Sequence, residues 1–367
     1  MTGSGPISFA RGAPSLDIVD VEGLKTAAQA AFTNDPAGAF AYGTSVGYLP
    51  LREWIAEQHQ VAPERVLVTN GSMQADAFLF DLLVGPGDAV VVEKPTYDRT
   101  LLALRERGAE IHPVSLEEDG IAVDELGALL ESGVRPKLAH IIPNFQNPAG
   151  YTLSREKRDR LLALAAEYDF TLFEDDPYVA LRFAGETLPT MLSLDGEEGD
   201  RVVYASSFSK TICPGIRCGY LVGPEAKIGE IRRRATNTYI SPNMVAQSIV
   251  NEFCRSGRIL ASIETVKAAL LERSTTLGDA LESELPDARF RRPEGGYFMW
   301  VDLPDGVDVA GLFVAAGERG VQIVKGTDFL LEGGENAMRL AYSGVKAELI
   351  GEGVQRLAQA VAALDGA

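Results

Sequence analysis

The chain has 367 residues, 46% apolar and 23% charged, with 37 Gly and 19 Pro, an ordinary globular composition sufficient for two domains. Thirty-four basic against 52 acidic residues leave a net charge of −18, the wrong sign for a free-standing binder of nucleic acid or of an anionic membrane. Three cysteines without metal-ligand spacing (Cys213, Cys218, Cys254) and three histidines (His59, His112, His140) supply neither a zinc site nor a His-based triad.

In chain order, the opening MTGSGPISFARGAPS lacks the basic segment and apolar run of a signal peptide. No later stretch has the apolar length of a membrane span, so a cytoplasmic protein is expected. Residues 1–40 read as irregular and then helical, packing with the C-terminal part of the chain. From Glu64 a regular alternation begins. Val66-Leu67-Val68 reads as a buried strand and Met73 to Val84 as a helix closed by Gly85. Ala89 to Val92 is a strand, Asp98 to Arg107 a helix, and Glu110 to Val114 a strand. A helix near 123–131 precedes the strand Leu138 to Ile142; Ser154 then caps a helix carrying Leu161, Leu164, Ala165 and Tyr168 at helical spacing. Phe170 to Phe173 and Val202 to Tyr204 complete the apolar strands, the latter after a short acidic Gly-rich loop, Asp195 to Asp200. Apolar strands alternating with amphipathic helices predict an α/β fold with a mostly parallel, seven-stranded sheet covered on both faces. Past residue 260 a long helix (Ile259 to Glu284) leads to strands at Tyr297 to Val301, Val321 to Val324 and Met338 to Tyr342. A closing helix, Ala347 to Leu364, makes this a smaller α+β domain. The expected division is 1–40, 41–260 and 261–367.

Ligands of an open α/β sheet bind beyond the carboxyl ends of its strands, and five strands here end in unusual polar residues. Thr69-Asn70-Gly71-Ser72-Met73 runs into a helix, whose free N–H groups suit a phosphate, although a plain N-cap by Ser72 explains it as well. Glu93-Lys94-Pro95-Thr96-Tyr97 offers Tyr97 for stacking, or simply for the core. Pro143 to Gly150 crowds two Asn and a Gln into one turn. Glu174-Asp175-Asp176-Pro177-Tyr178 sets three carboxylates together, which repel unless a cation or a proton joins them. Ser206 to Tyr220 holds Lys210 among serines, with Arg217 a helical-scale step downstream. Together they describe one ligand, a flat phosphorylated heteroaromatic aldehyde with a basic ring nitrogen, which is pyridoxal phosphate.

With NGSMQADAF, EKPTY, PNFQNPAG, EDDPY, SSFSK…PGIRCGY, GGYFMW and MRLAYS in this order, the sequence resembles fold type I pyridoxal-phosphate enzymes of the class I/II aminotransferase superfamily. It is most similar to the 2-aminoadipate and aromatic aminotransferase-like subgroup. The resemblance implies that Lys210 is the Schiff-base lysine and proton carrier, and that Asp175 keeps the pyridine nitrogen protonated. It implies Tyr97 stacking on the ring, and Tyr178 and Asn147 on its phenolic oxygen. Gly71, Ser72, Met73, Ser207, Ser209 and Arg217 would hold the phosphate. Arg339, with Asn147, would clamp the substrate α-carboxylate. Tyr42 would reach the phosphate of a neighbouring subunit, which implies a homodimer with shared sites.

Two positions depart from the family pattern. Lys325 stands where proline is usual, and Arg11 stands in Phe9-Ala10-Arg11-Gly12-Ala13-Pro14 where small residues are common. Both hint at an acidic substrate side chain, with Arg11 the substrate-binding candidate, whereas the Gly295-Gly296-Tyr297-Phe298 loop hints at an apolar one. The polar stretch Thr236 to Asn243, read as a helix start, has no assignment. The expected reaction is transfer of an amino group from an α-amino acid to a 2-oxo acid. Elimination, replacement or carbon–carbon bond formation at Cβ or Cγ on the same cofactor is the alternative. A third reading, a non-catalytic ligand sensor, is disfavoured by acidity and by family motifs that start within the first dozen residues.

Overall fold

A strand whose every residue is apolar can be buried only by covering both of its faces, and the computed structural model, which describes residues 5–196 and 199–365, does this with a central sheet. Glu197 and Glu198 of the acidic loop lie outside the described residues. The strands are β1 (Ile7–Ser8), β2 (Val66–Thr69), β3 (Ala89–Lys94), β4 (Glu110–Glu117), β5 (Gly120–Ile121), β6 (Leu138–Ile141) and β7 (Thr171–Asp175). They continue with β8 (Val202–Ser207), β9 (Gly219–Val222), β10 (Arg289–Phe290), β11 (Phe298–Asp302), β12 (Val321–Gln322), β13 (Val324–Lys325) and β14 (Ala337–Ala341).

The large sheet runs β2-β9-β8-β7-β6-β3-β4-β5. It has eight strands among the described residues; seven are of four residues or more, and the eighth is the two-residue edge strand β5, paired antiparallel with β4. β4, β3, β6, β7 and β8 are mutually parallel. Strand alternation divides the core into two layers. Val66, Val68, Val91, Ala139, Leu172, Val202 and Tyr204 face one cluster. Leu67, Val90, Val92, Leu138, Phe173, Val203 and Ala205 face the other, joined by Ala75, Phe78, Leu79 and Phe80 from the helix Ser72–Leu83.

Strand β9 escaped the sequence reading because Gly219 to Val222 is short and lies at the end of a polar turn. It is antiparallel to both neighbours, with Gly219 opposite Thr69 on one side and Ser207 on the other. Its first residue therefore lies on the rim where β2 and β8 end, and the chain entering it crosses that rim.

A second core gathers the helix Arg258–Glu284, the closing helix Ala347–Asp365 and the antiparallel sheet β10-β11-β14-β13. The expected strand Val321 to Val324 is split: Val321 and Gln322 pair with β1, whereas Val324 and Lys325 pair with β14. The N-terminal segment does not pack as a unit. Ile7, Phe9 and Ile18 join the second core, but the helix Val21–Asn34 lies against the helix Met244–Arg255. Thr236 to Asn243 is not a helix start but a junction. It ends the helix Glu225–Tyr239, turns at Ile240 (φ +64°), and supplies Asn243, whose Oδ1 accepts a bond from Ala246 N to cap the next helix.

Candidate active site

The carboxyl ends of β2, β7 and β8 open into a cavity of about 510 Å³, lined also by residues 10–12, Val324, Asp328, Phe329 and Arg339. All five polar strand ends reach its neighbourhood. Ser72, Met73, Tyr97, Asn147, Asp175, Tyr178, Ser207, Ser209, Lys210, Arg217, Arg339 and Arg11 line it, and Gly71 lies directly behind Arg217.

At one pole Gly71 (φ +77°) caps the helix Ser72–Leu83 without a side-chain bond, leaving the first N–H groups available. Arg217 arrives not along a helix but from a tight turn, Pro214–Ile216, in the left-handed region (φ +47°). Its Nη2 donates to Asn70 O (3.1 Å), and its Nη1 lies 3.5 Å from Ser209 Oγ, whose backbone N donates to Ser207 Oγ (3.2 Å). A Cβ on Gly71 would sit 2.3 Å from Arg217 Nη2, and one on Gly219 would sit 2.6 Å from Ser72 N. Both glycines keep open a cradle of N–H, hydroxyl and guanidinium donors, a set suited to a phosphate.

At the other pole the acidic triplet is resolved by alternation. Glu174 faces away, accepting bonds from Met191 N (2.8 Å) and Leu192 N (2.9 Å), and Asp176 accepts from Asn144 Nδ2 (2.8 Å). Burial pushes Glu174 up to about 7, and Asp176 is likewise pushed up by burial and then by Glu174. The fully buried Arg158, 3.9 Å from Glu174, compensates both and donates to four oxygens around it. Removing one partner strands buried charge, so Arg158→Met is expected to cost about 3–5 kcal/mol, read by urea unfolding. A cost below about 1 kcal/mol would show the carboxylates do not depend on it.

Asp175 alone of the three enters the cavity. Its Oδ2 is 3.4 Å from His140 Nε2, and its Oδ1 is buried with no hydrogen-bond partner. An ionisable oxygen so placed is an acceptor for a ring N–H. His140, packed edge-on against Phe173 (5.2 Å) and Phe80 (6.3 Å), was not singled out from the sequence. Only the parallel register of β6 with β7, which sets it opposite Phe173, brings it to Asp175.

Between the poles stands Lys210. Its Nζ donates to Gly12 O (2.7 Å) and lies 5.7 Å from the Tyr178 ring centre and 5.2 Å from that of Tyr297. Burial, then the positive charges of Arg339 and Arg217, depress its amine to about 8, against the opposing pull of Asp175. A lysine with that value offers a fraction of neutral, nucleophilic amine near neutral pH that an ordinary lysine lacks. Tyr97 borders the same space, its hydroxyl pushed up to about 12 by burial and then by Asp98.

Arg339 is sandwiched between Phe298 (4.4 Å) and Phe329 (4.8 Å). It donates to Asn147 Oδ1 (3.0 Å) and Ala10 O (2.6 Å), while its Nε has no partner. In the Gly295-Gly296-Tyr297-Phe298 loop only Phe298 lines the cavity. The glycines leave room for Phe145, whose ring would lie 2.3 Å from a Cβ on Gly295, and Tyr297 is buried, donating to Lys210 O (3.0 Å). Lys325 pairs with Asp328 at 3.5 Å and does not line the cavity, whereas the Arg11 guanidinium lines it without an ion-pair partner among the described residues. Tyr42 is 89% exposed and lies away from this chain's cavity, beside Phe40, Ser241 and Met244. Cys218 and Cys254 are buried with their thiols pushed up by burial, which suits packing.

A phosphate cradle, an orphaned acceptor across from it and an amine between them fit pyridoxal phosphate. The family model described as aminotransferase class I and II matches residues 5–357. Aromatic-amino-acid aminotransferase 1 of Thermococcus litoralis is 34% identical over 97% of this chain and 88% of its own length. The 2-aminoadipate transaminase of Thermus thermophilus is 34% identical over 98% of this chain and 91% of its own. The crystal structure of an alpha-aminoadipate aminotransferase from Thermus thermophilus, complexed with N-(5'-phosphopyridoxyl)-L-leucine, superposes with a TM-score of 0.93. It is 33% identical and covers 99% of this chain and 94% of that one.

Proposed function

This chain belongs to the class I and II aminotransferase family and is a pyridoxal-phosphate-dependent enzyme that transfers amino groups; from that premise we propose which residues perform the transfer and on what substrate. The cofactor supplies an aldehyde for covalent capture and a ring that withdraws electrons from the captured carbon. Lys210 Nζ is the capturing amine and then the base that takes the proton from the amino acid's α-carbon. Asp175, 3.4 Å from His140, would hold a proton on the ring nitrogen. Tyr178 and Asn147 serve the phenolic oxygen, Tyr97 borders the ring, and the cradle from Gly71 to Met73 with Ser207, Ser209 and Arg217 anchors the phosphate. Arg339, its plane fixed by two phenyl rings, presents a guanidinium to the substrate α-carboxylate. The single observation that carries this reading is Lys210, with its depressed amine, standing between the cradle and the orphaned oxygen of Asp175.

The substrate is proposed to be a dicarboxylic amino acid with a long side chain. Apolar walls from Phe298, Phe329 and Val324 accept methylenes, and Arg11, which lines the same cavity, accepts a terminal carboxylate. The Thermus thermophilus relative named for 2-aminoadipate supports this choice. The division at residues 41–260 and 261–367, the cytoplasmic location and the homodimer belong to the same proposal. For the dimer the support is an exposed apolar patch, Phe40, Tyr42 and Ile240, of the kind another chain covers.

The test is a half-reaction screen in which amino acids are mixed singly with holoenzyme and conversion to the pyridoxamine form is followed by absorbance. 2-Aminoadipate and glutamate are expected to convert it most efficiently. Arg11→Ala is expected to raise KM for these about 10-fold or more, the worth of a charged hydrogen bond, leaving phenylalanine within about 3-fold. Equal losses for both classes would overturn the role of Arg11.

A further inference from the structure

One buried acid near the site has no part in the scheme above. Asp76 sits one turn inside the helix Ser72–Leu83, 7% exposed, its Oδ1 closed to water and without a hydrogen-bond partner. Its place relative to Asp175 follows from two registers. Four residues on, Phe80 shares its helix face and packs edge-on against Phe173 at 5.9 Å. Two residues beyond Phe173 on β7, Asp175 points to the same sheet face. Four helical residues advance about 6 Å and two strand residues about 6.6 Å. Both advances lead to the same rim, where the helix begins and the strand ends. Asp76 therefore stands opposite Asp175, and each presents an oxygen with no hydrogen-bond partner.

The other titratable groups facing this pair are His140 from β6, Tyr97 ahead of the helix Asp98–Glu106, Tyr178 after β7 and Glu93 on β3. Lys210 is a cation that feels the Asp175 charge. Two carboxylates in an apolar site with one ring cation to serve cannot both stay ionised. Burial first, and the Asp175 charge second, push the Asp76 carboxyl well above the usual carboxylate range.

We propose that Asp76 is a positioning residue that keeps its proton, so that it adds no second negative charge beside Asp175 where the cofactor ring would be held. Asp76 thereby lets Asp175 match a single ring cation. This rests on the placement of the ring nitrogen at Asp175. That placement fails on the cofactor spectrum of Asp175→Asn, whereas the inference about Asp76 fails on stability against pH.

The sign follows from linkage. A carboxyl raised in the folded state binds its proton when folded and releases it when unfolded, so its stabilising share is complete at low pH. That share is lost as pH climbs from the unfolded carboxylate range towards the raised value. Asp76→Asn has no such proton. Thermal unfolding of the two holoenzymes from pH 4 upward is expected to show the Asn variant gaining on the wild type. The gain is at most about tenfold in folding equilibrium per pH unit, one proton's worth. Asp76→Leu, equally unable to ionise and suited to an apolar site, is expected to show the same widening from a different starting offset. A difference independent of pH in both variants, as packing alone would give, overturns the proposal.

Discussion

Lys210→Ala is expected to lose the visible absorption of the lysine-linked cofactor together with turnover. The substitution deletes two functions at one atom. The amine that bonds the cofactor is gone, so borohydride treatment followed by denaturation leaves cofactor on the wild type and none on the variant. The base facing the substrate α-carbon is also gone; general-base removal alone costs about 10²–10⁴-fold, and loss of covalent capture adds to it, so a fall of at least about 10⁴-fold in kcat is expected. Cofactor affinity should suffer less, because the phosphate cradle of Ser72, Ser207, Ser209 and Arg217 remains. Turnover within about 10-fold of wild type would remove Lys210 from the mechanism.

Asp175→Asn comes second in expected size. The asparagine keeps the shape and the contact with His140 but cannot offset a charged ring nitrogen. A preorganised charge opposite developing charge in a dry site is worth about 10²–10³-fold in rate, and the loss should fall on kcat more than on KM, because the carboxylate does not touch the amino acid. The cofactor's absorption maximum should shift with the ring's lost proton. An unchanged spectrum and unchanged kcat would place the ring nitrogen elsewhere. Asp175 is suited to this role because it alone of the three lines the cavity: Glu174 is held by two backbone N–H groups with Arg158 nearby, and Asp176 accepts from Asn144.

Much of this was legible in the linear chain. A short β-branched apolar run such as Val66-Leu67-Val68, alternating with helices, suits a two-sided buried strand, and the polar residues that follow such parallel runs fall on one rim. Hence Lys210, Asp175, Asn147 and Ser72 could be named before any contact was known. Quoted motifs then added Arg339, which sits more than a hundred residues beyond the last large-sheet strand and has no local mark of function.

Other features depended on which segments become neighbours, and pairing across long separations leaves no local trace. The antiparallel β9 brings Arg217 over the cradle through contacts with Thr69 and Ser207. His140 reads as a buried histidine until the β6–β7 register sets it beside Asp175. Asp76 carries no mark in the sequence, and its place follows from the helix Ser72–Leu83, whose Phe80 packs against Phe173. Lys325 and Arg11 both stood out as departures, with Arg11 the substrate-binding candidate, and packing shows why they differ: Asp328 pairs with Lys325, and no ion pair among the described residues involves Arg11. The elements, the rim and the cofactor chemistry could be read from the linear chain, because periodicity and strand-end polarity are local. Which charges are paired, which are orphaned and how high their proton affinities stand emerged only from the folded packing, because these depend on burial and on neighbours tens to hundreds of residues away.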